Sequence, residues 1–427
     1  MQSAMQMNLL ALATCLVCSS LQAQLGESDT PDLYSLWRDR IVQIQVIDQQ
    51  AHSKAGIGSG FFAGNPGWIL TNYHVIAELA NQPGRYRASY LADNGLEGKL
   101  ELLSIDVVHD LAVLRAENLM PEGLQLSTVP PPKGSRLYSL GYPFDIGLSI
   151  VEGTYNGMME KSLYEKLHFT GSINPGMSGG PALDRAGQVV GINVATAGDQ
   201  VSFLVPAHFA AKLIAQTPDQ PAGTDLLNQF VTAQLLQNQD LISVGLLGGE
   251  VPRTRLNGYL VPGAMSPYLS CWGDSQEDRP DELEQIYYRC QTQDDIFLSR
   301  SLYTGVIQYQ HDLLSSDRLH PMRFYRQLED RGYYAQLQLE GDEQSVTNYQ
   351  CQSGFIDQAG LNFKATFCLR RYRLIEGLYD SYLTLTSLVD DGEALQSTLV
   401  LAGFNWSNIQ GLSARFIGSI GWSEAAP

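Results

Sequence analysis

Apolar and polar side chains alternate along residues 41–46, Ile-Val-Gln-Ile-Gln-Val, as on a strand with one buried face. Apolar runs of strand length recur at 57–63, 68–71, 86–91, 97–105, 111–115, 135–141, 147–154, 165–170, 181–184, 188–195 and 201–205. Turn signals such as Asn65-Pro66-Gly67, Asn81-Gln82-Pro83-Gly84 and Asp93-Asn94-Gly95 separate several of them. Many short strands with Gly and Pro turns predict an all-β barrel architecture. Two helices are expected beside them, a short one over 31–40 and a closing one over 207–216.

The pattern then changes. Residues 217–223, Thr-Pro-Asp-Gln-Pro-Ala-Gly, read as a linker rich in breakers. Thr224 or Asp225 can cap a helix reaching about Asn238, with Leu226, Leu227, Phe230 and Ala233 on one apolar side. It can pack on the preceding domain or bridge two domains, and packing is preferred. Residues 249–427 read as a separate β-rich domain, with strands expected at 286–289, 306–309, 333–339, 363–367, 381–388 and 414–420. The expected division is 1–23 as a signal segment, 24–220 as the first domain, 221–248 as linker and helix, and 249–427 as the second.

Cysteine placement adds detail. Cys15 and Cys18 fall in the leading segment, while Cys271, Cys290, Cys351 and Cys368 all lie in the second half. An even number in an exported chain suggests disulfides. Three pairings are open, and Cys271–Cys290 with Cys351–Cys368 is favoured because each brackets one short segment. Zinc is the rival, without a Cys-x-x-Cys or much nearby histidine to support it. Cys271, Cys290 and Leu302-Tyr303 find echoes 80, 78 and 76 residues later at Cys351, Cys368 and Leu378-Tyr379. The echo suggests two tandem modules. Arg370, Arg371 and Arg373 form a local basic cluster, read as a solvated strand face.

Composition narrows the function classes. The 427 residues are 44% hydrophobic, ample for packed cores, and carry a net charge of −18. That charge argues against a nucleic-acid partner, which needs basic patches. Residues 9–17 form an apolar run too short to span a bilayer, and Leu21-Gln22-Ala23 can serve as a signal-peptidase site. Residues 1–8 lack the usual Lys or Arg. Leu12-Ala13-Thr14-Cys15 is a poor lipobox, because a small Gly, Ala or Ser is expected before the cysteine. Lipidation at Cys15 or Cys18 is the minor option. No later segment is apolar enough to cross a membrane, so a periplasmic or secreted protein without an integral membrane segment is expected.

Three stretches carry candidate chemistry. Residues 171–181, Gly-Ser-Ile-Asn-Pro-Gly-Met-Ser-Gly-Gly-Pro, set Ser178 between glycines. A serine hydroxyl is a poor nucleophile without a base and an anion site. Amides of Gly176 and Ser178 pointing one way would supply the anion site. Residues 68–75, Trp-Ile-Leu-Thr-Asn-Tyr-His-Val, run an apolar strand into His74, whose ring suits a general base at neutral pH. Residues 106–114, Asp-Val-Val-His-Asp-Leu-Ala-Val-Leu, place Asp110 at the start of another strand, where it can orient that ring. A lone histidine or aspartate of this kind is usually structural. His74, Asp110 and Ser178 in this order are harder to dismiss.

Together these stretches resemble the trypsin-like serine proteases, and within them the HtrA/Deg branch of bacterial envelopes. Gly58-Ser59-Gly60-Phe61, Gly141-Tyr142-Pro143, Gly191-Ile192-Asn193 and Val201-Ser202-Phe203-Leu204-Val205-Pro206 extend the resemblance over about residues 35–215. It implies two six-stranded β-barrels with the triad in the cleft between them. It also implies Ser178 as nucleophile, His74 as base and then acid, Asp110 as orienting carboxylate, and the Gly176 and Ser178 amides as oxyanion hole. Met177 departs from the family's usual Asn, at a position expected to offer mainly its backbone. The pocket floor is implied at Ser172, with Ile173 as an apolar wall and Asn193, Val194, Ala195 and the loop 196–200 supplying the rest. A small neutral floor implies cleavage after small or medium apolar residues. The acyl-enzyme mechanism requires no metal or organic cofactor.

The resemblance stops before the second domain. The family's peptide-binding PDZ modules have no counterpart motif, and Gly245-Leu-Leu-Gly248 is too slight to stand in for their carboxylate loop. Two readings follow. One is a serine endopeptidase acting on exported or unfolded proteins, with the second domain aiding recognition of substrate or partner. The other is a catalytically silent scaffold acting through interactions, and a gated enzyme lies between them. The family often trimerises through an N-terminal extension, and residues 24–37 leave a homo-oligomer open.

Overall fold

The computed structural model describes residues 30–196, 201–221, 223–276, 283–334, 339–388 and 392–423. The expected signal segment, with Cys15 and Cys18, lies outside the described residues, as do residues 197–200 of the expected substrate loop. After α1 (Thr30–Trp37) come β1 (Ile41–Asp48), β2 (Ser53–Phe62), β3 (Trp68–Thr71), α2 (Tyr73–Asn81), β4 (Tyr86–Ala92), β5 (Glu97–Asp106) and β6 (Leu111–Ala116). The six strands close into a barrel in the order β1-β2-β3-β6-β5-β4. A second barrel follows from β7 (Arg136–Gly141), β8 (Ser149–Met158), β9 (Leu167–Phe169), β10 (Pro181–Leu183), β11 (Val189–Thr196) and β12 (Ser202–Pro206). It closes in the order β10-β11-β12-β9-β8-β7. The fold is mainly β, with a chymotrypsin-like double barrel.

β4 alternates, as a strand with one packed and one wet face does, while β1, β3, β6, β7 and β10 are buried at nearly every position and follow from apolar runs bounded by turns. The helix α3 (Ala207–Gln216) closes the double barrel with Ala207, Ala210 and Leu213 buried. The helix α2 was not legible as such. Its nine residues follow an apolar strand with only Asn72 between, and they bury Tyr73, Ile76, Ala77 and Ala80, a three-to-four spacing.

The helix α4 (Thr224–Leu247) is longer than the expected end at Asn238. It does more than pack on the first domain. Leu227 and Leu235 enter the apolar core of the first barrel, while Leu246 enters the core of the second domain. Gly245 belongs to its last turn and forms no ligand loop.

Beyond it, β13 (Arg253–Leu256) and β14 (Tyr259–Pro262) form a hairpin. The main sheet uses β15 (Leu269–Gln276) and β16 (Glu284–Thr292), followed by a separate small hairpin, β17 (Ile296–Ser299) and β18 (Leu302–Thr304). Then come β19 (Ile307–Ser315), α5 (Pro321–Tyr334), β20 (Gln350–Gln358), β21 (Leu361–Arg371), β22 (Tyr379–Ser387), β23 (Glu393–Phe404), α6 (Trp406–Gly418) and β24 (Gly421–Trp422). Two strand expectations give way to helices. Residues 333 and 334 end α5, with 335–338 outside the described residues, and the segment 414–418 belongs to α6. The stripe Ile409, Leu412 and Phe416 is buried, and the Asn405 side chain caps the Asn408 amide. Those two features outweigh the strand-like look of 414–420.

The cysteines form the favoured pairs, Cys271–Cys290 and Cys351–Cys368. Each joins directly opposed residues, of β15 and β16 and of β20 and β21. The two hairpins do not make two modules. They lie at opposite edges of one seven-stranded antiparallel sheet, β15-β16-β19-β23-β22-β21-β20, with β23 filling the centre between the echoes. Chain entropy gives each crosslink about 3 kcal/mol, useful at an edge hairpin that has a partner strand on one side. Arg370 is also not a solvated side chain. It is 7% exposed, and its Nε donates to Asp380 at 2.8 Å.

The two domains share one core. Ile296, Leu298 and Leu302 of the small hairpin pack in the same apolar cluster as Val75, Ile76 and Ala80 of the first barrel. Asp294, 5% exposed, accepts from Ser162 Oγ at 2.7 Å, the Leu163 amide at 2.8 Å and Lys166 Nζ at 2.5 Å. Burying five side chains, Leu227, Leu235, Ile296, Leu298 and Leu302, stabilises by roughly 10 kcal/mol at about 2 kcal/mol each. That matches the whole net stability of an ordinary domain. Residues 24–220 alone are therefore expected to lack a cooperative melt and to aggregate. Circular dichroism with size-exclusion chromatography checks this; a monomer with a sharp transition would refute a shared core.

Candidate active site

The chain turns into α2 immediately after β3, so His74 stands in the first helical turn. Asn72, buried before it, donates its side-chain amide to the Asp110 carbonyl at 2.8 Å. The Tyr73 amide adds a second bond to that carbonyl at 3.2 Å. These bonds hold Asp110 at φ 55, a left-handed conformation that aspartate tolerates better than most residues. Its carboxylate then meets His74 twice. The His74 backbone amide donates to Oδ1 at 2.8 Å, and Nδ1 lies 2.6 Å from Oδ2. An Nδ1 proton held by a carboxylate leaves Nε2 as the basic nitrogen. Burial is the largest influence on the ring and lowers its pKa. The charge of Asp110 and its hydrogen bond outweigh burial and leave the pKa raised above 6.5.

Ser178 lies on the turn before β10, on the second barrel. Gly176 and Gly179 have φ of 97 and 84. A Cβ on Gly176 would overlap the Tyr142 carbonyl, and one on Gly179 would overlap the Ser59 carbonyl and the Thr71 hydroxyl. Glycine is required at both. Ser59 of β2 ties this turn to the first barrel. Its amide donates to the Ser178 carbonyl at 2.8 Å. Its hydroxyl donates to the Gly176 carbonyl at 2.7 Å and accepts from the Tyr142 amide at 2.9 Å. The Pro175 carbonyl is held by the Phe144 amide at 2.9 Å.

The remaining amides of the turn divide into two sets. Those of Met177, Gly179 and Gly180 donate to Asn174, Asn193 and Met177 carbonyls. Those of Gly176 and Ser178 have no acceptor among the described residues. His74, Gly176 and Ser178 line one cleft of about 260 Å³. The Ser178 hydroxyl meets the Val194 carbonyl at 3.5 Å and not the His74 ring. Such contacts are often loose without substrate and tighten when it binds.

Several expected substrate residues take other parts. Asn193 is fully buried. Its amide group donates to the Leu140 and Met177 carbonyls at 3.1 and 3.2 Å and accepts from Ser139 Oγ at 2.8 Å. A buried amide needs such partners, so Asn193 braces the turn instead of facing a ligand. Ile173 is 5% exposed and belongs to the second barrel's core. Ser172 is exposed, unlike an enclosed pocket floor. Met177, expected to offer mainly its backbone, also buries its side chain completely in that core. Val194 is half-buried and lines a cavity beside His74. The side chain of Ala195 lies outside the described features. Asn72 and Ser59 had no role readable from the sequence, since their partners lie 38 and 117 residues away.

Comparison with known proteins agrees with this geometry. Residues 58–192 match the model of the trypsin-like peptidase domain. Protease Do-like 5, chloroplastic, of Arabidopsis thaliana is 34% identical over 171 residues, covering 35% of this chain and 51% of its own length. Putative serine protease HhoA of Synechocystis is 31% identical over 199 residues, 43% of this chain and 47% of its own. The chain thus spans about half the length of these curated relatives. A crystal structure of Deg5 is 29% identical, with a TM-score of 0.37, covering 43% of this chain and 90% of that one. Residues 58–192 therefore carry a trypsin-like peptidase domain, similar to those of the curated Deg and HtrA-type proteases.

Proposed function

We propose that the protein is a serine endopeptidase that cleaves exported or unfolded proteins through an acyl-enzyme. The observation that carries this reading is the pair of uncommitted amides, Gly176 and Ser178, in one cleft with His74, whose ring Asp110 holds. In this reading Ser178 Oγ attacks the scissile carbonyl and His74 Nε2 takes its proton. The carbonyl oxygen becomes an oxyanion between the two amides, the largest single contribution expected in such chemistry. His74 returns the proton to the leaving amine, and water, activated the same way, releases the acyl group. Asp110 stabilises the imidazolium without taking the proton. The acyl side chain is expected to be small or medium and apolar, with half-buried Val194 beside His74 as an apolar wall.

A second reading has one observation in its favour. The Ser178 hydroxyl faces Val194, as it would in a silent scaffold or in a gated enzyme awaiting a ligand. Export is part of the proposal, resting on the apolar run at 9–17. Relatives described as periplasmic agree with it. Among the described residues no helix is long and apolar enough to cross a membrane.

Three expectations follow from this reading. A fluorophosphonate probe labels the full chain at Ser178, and Ser178→Ala abolishes the label; a folded protein that resists labelling would favour the scaffold. A peptide library shows cleavage after Ala, Val or Leu, and a clear preference for Arg or Lys would defeat that specificity. The third concerns pH. His74 acts as a base only when neutral, so the labelling rate climbs with pH through a midpoint above 6.5, the ordinary histidine value. Asp110→Asn removes what raises the pKa and leaves burial, which lowers it. The midpoint moves down while the rate falls by about 10⁴-fold. A midpoint that stays put in the variant contradicts the assignment. The raised pKa also favours the fold. That stabilisation is complete below the unfolded histidine's pKa and is lost as pH rises through the folded one.

A further inference from the structure

A chamber of about 650 Å³ opens where the two domains meet, with neither His74 nor Ser178 in its walls. Its volume falls in the range of small-molecule sites. The first domain lends it Leu163 and Leu213, α4 lends Ile242 and Leu246, and the second domain lends Leu269 and Ile307. Leu213, Leu246, Leu269 and Ile307 are buried.

The chamber also has polar walls, and these fall into two sets. The first set is buried or half-buried and already bonded. Asp106 holds His109, with Oδ2 and Nδ1 at 2.7 Å. Gln234 accepts from the Val107 amide at 2.9 Å and donates to the Ile105 carbonyl at 2.8 Å. Asn238 donates to the Tyr164 hydroxyl at 2.8 Å. The Ile307 amide donates to the Thr292 hydroxyl at 3.2 Å, and the Tyr268 amide to the Ser266 hydroxyl at 3.3 Å. The second set stands exposed at the mouth. Lys212 and Gln216, one turn apart on α3, and Gln237 of α4 have no side-chain partner among the described residues. All three carry N–H donors, and Lys212 adds a positive charge.

Gly245 keeps the chamber open. It follows Asn238, Leu241 and Ile242 by seven, four and three positions on α4, and all three line the chamber. A side chain at 245 would therefore point where theirs do. A Cβ placed there meets no neighbouring atom within 4 Å. No close contact calls for glycine, and glycine weakens a helix relative to alanine. What its missing side chain leaves is space.

We propose that the chamber binds a linear amphiphile with an acidic head, of the class of medium-chain fatty acids. The tail lies against Leu213, Leu246, Leu269 and Ile307. The carboxylate sits at the mouth on Lys212, with the glutamine amides as further donors. An extended peptide suits the chamber less well, because its amides would meet inner polar groups that are already bonded. A cationic head would find no free carboxylate, since Asp106 is held by His109. The inference stands apart from the endopeptidase reading, because Ser178 takes no part in it.

The test is calorimetric titration of the full chain carrying Ser178→Ala, which removes any self-cleavage. Decanoic acid, octanoic acid, decanol and decylamine are compared below their micellar concentrations. Decanoic acid is expected to bind one molecule per chain, about tenfold tighter than octanoic acid, the scale of two buried methylenes. It should bind severalfold tighter than decanol, and Lys212→Gln should erase that advantage while leaving decanol unchanged. Gly245→Leu fills the chamber with a better helix former and should weaken both at least tenfold with the melting transition retained. Leu241→Glu, at an exposed position of the mouth, should weaken decanoic acid more than decanol, and it decides alone if Gly245→Leu fails to fold. Tightest binding of decylamine would be general attraction to a chain of net charge −18 and overturns the proposal. So do equal affinities for decanoic acid and decanol, binding that survives Gly245→Leu in a folded protein, an unchanged ranking in Leu241→Glu, and absence of binding. Tighter binding of an acetylated leucine tripeptide than of decanoic acid also overturns it and makes the chamber a peptide site.

Discussion

The site depends on Ser59, a fully buried hydroxyl that joins the two barrels. The histidine and its carboxylate come from the first barrel, and the serine comes from the second. Packing alone brings such surfaces together without fixing them to a fraction of an ångström. Ser59 supplies that accuracy with three hydrogen bonds to the second barrel, one from its amide and two through its hydroxyl. Each buried partner left unmade would cost about 1–3 kcal/mol. The Gly176 carbonyl is thereby turned inward, and the Gly176 and Ser178 amides are left without an acceptor among the described residues. Asn193 braces the same turn from β11, and Met177 fills the core beneath it. An apolar anchor works there because the turn's polar groups are satisfied by neighbours, not by the side chain at 177.

A second constraint couples the site to the distant domain. Asp380 is fully buried and accepts from Arg370, Tyr372 and the Gly403 amide. Burial raises its pKa most strongly, and the Arg370 charge and these hydrogen bonds oppose that. Such networks contribute little net stability when complete and cost several kcal/mol when one member is lost. Their value lies in position. Through Tyr372 this network fixes Thr304 at the foot of the small hairpin, and the hairpin carries Phe297 to the histidine.

The parts of the molecule legible in the sequence are those with local causes. The barrel strands follow from short apolar runs and the turn residues between them, so β3 lies within the segment read from the pattern, as does the closing helix α3. Ser178 stands out because close approach at Gly176 and Gly179 excludes any side chain. The cysteine pairs follow from short spacing. What escaped depends on distant partners. The helix α2 carries no strong start signal, and its buried stripe matters only once the barrel exists to receive it. The segment 414–420 looks extended until Ile409 and Leu412 are counted with Phe416 as one helical face. Arg370 looks solvated because Asp380 becomes its partner only across the β21–β22 pair. Asn193 sits in β11 next to Val194, which lines the cavity beside His74, yet its own side chain turns inward.

The hairpin belongs to this second kind most clearly. Ile-Phe-Leu at 296–298 is an ordinary apolar triplet, and nothing near it in sequence points to a histidine more than two hundred residues earlier. Its place follows from the first barrel's incomplete core. The outer face of α2 presents Tyr73 and Asn81 with donors to satisfy and an apolar cluster to cover. Leu298 answers both, since its carbonyl accepts the two donors while its side chain fills the cluster. With Leu298 seated, its neighbour Phe297, half-buried, packs at the edge of the same cluster and lies beside Tyr73 and His74. The stabilising contact and the ring beside the histidine are thus consecutive residues of one strand. A peptidase domain that closes its core with a later segment of the chain also acquires that segment as a wall of its cleft.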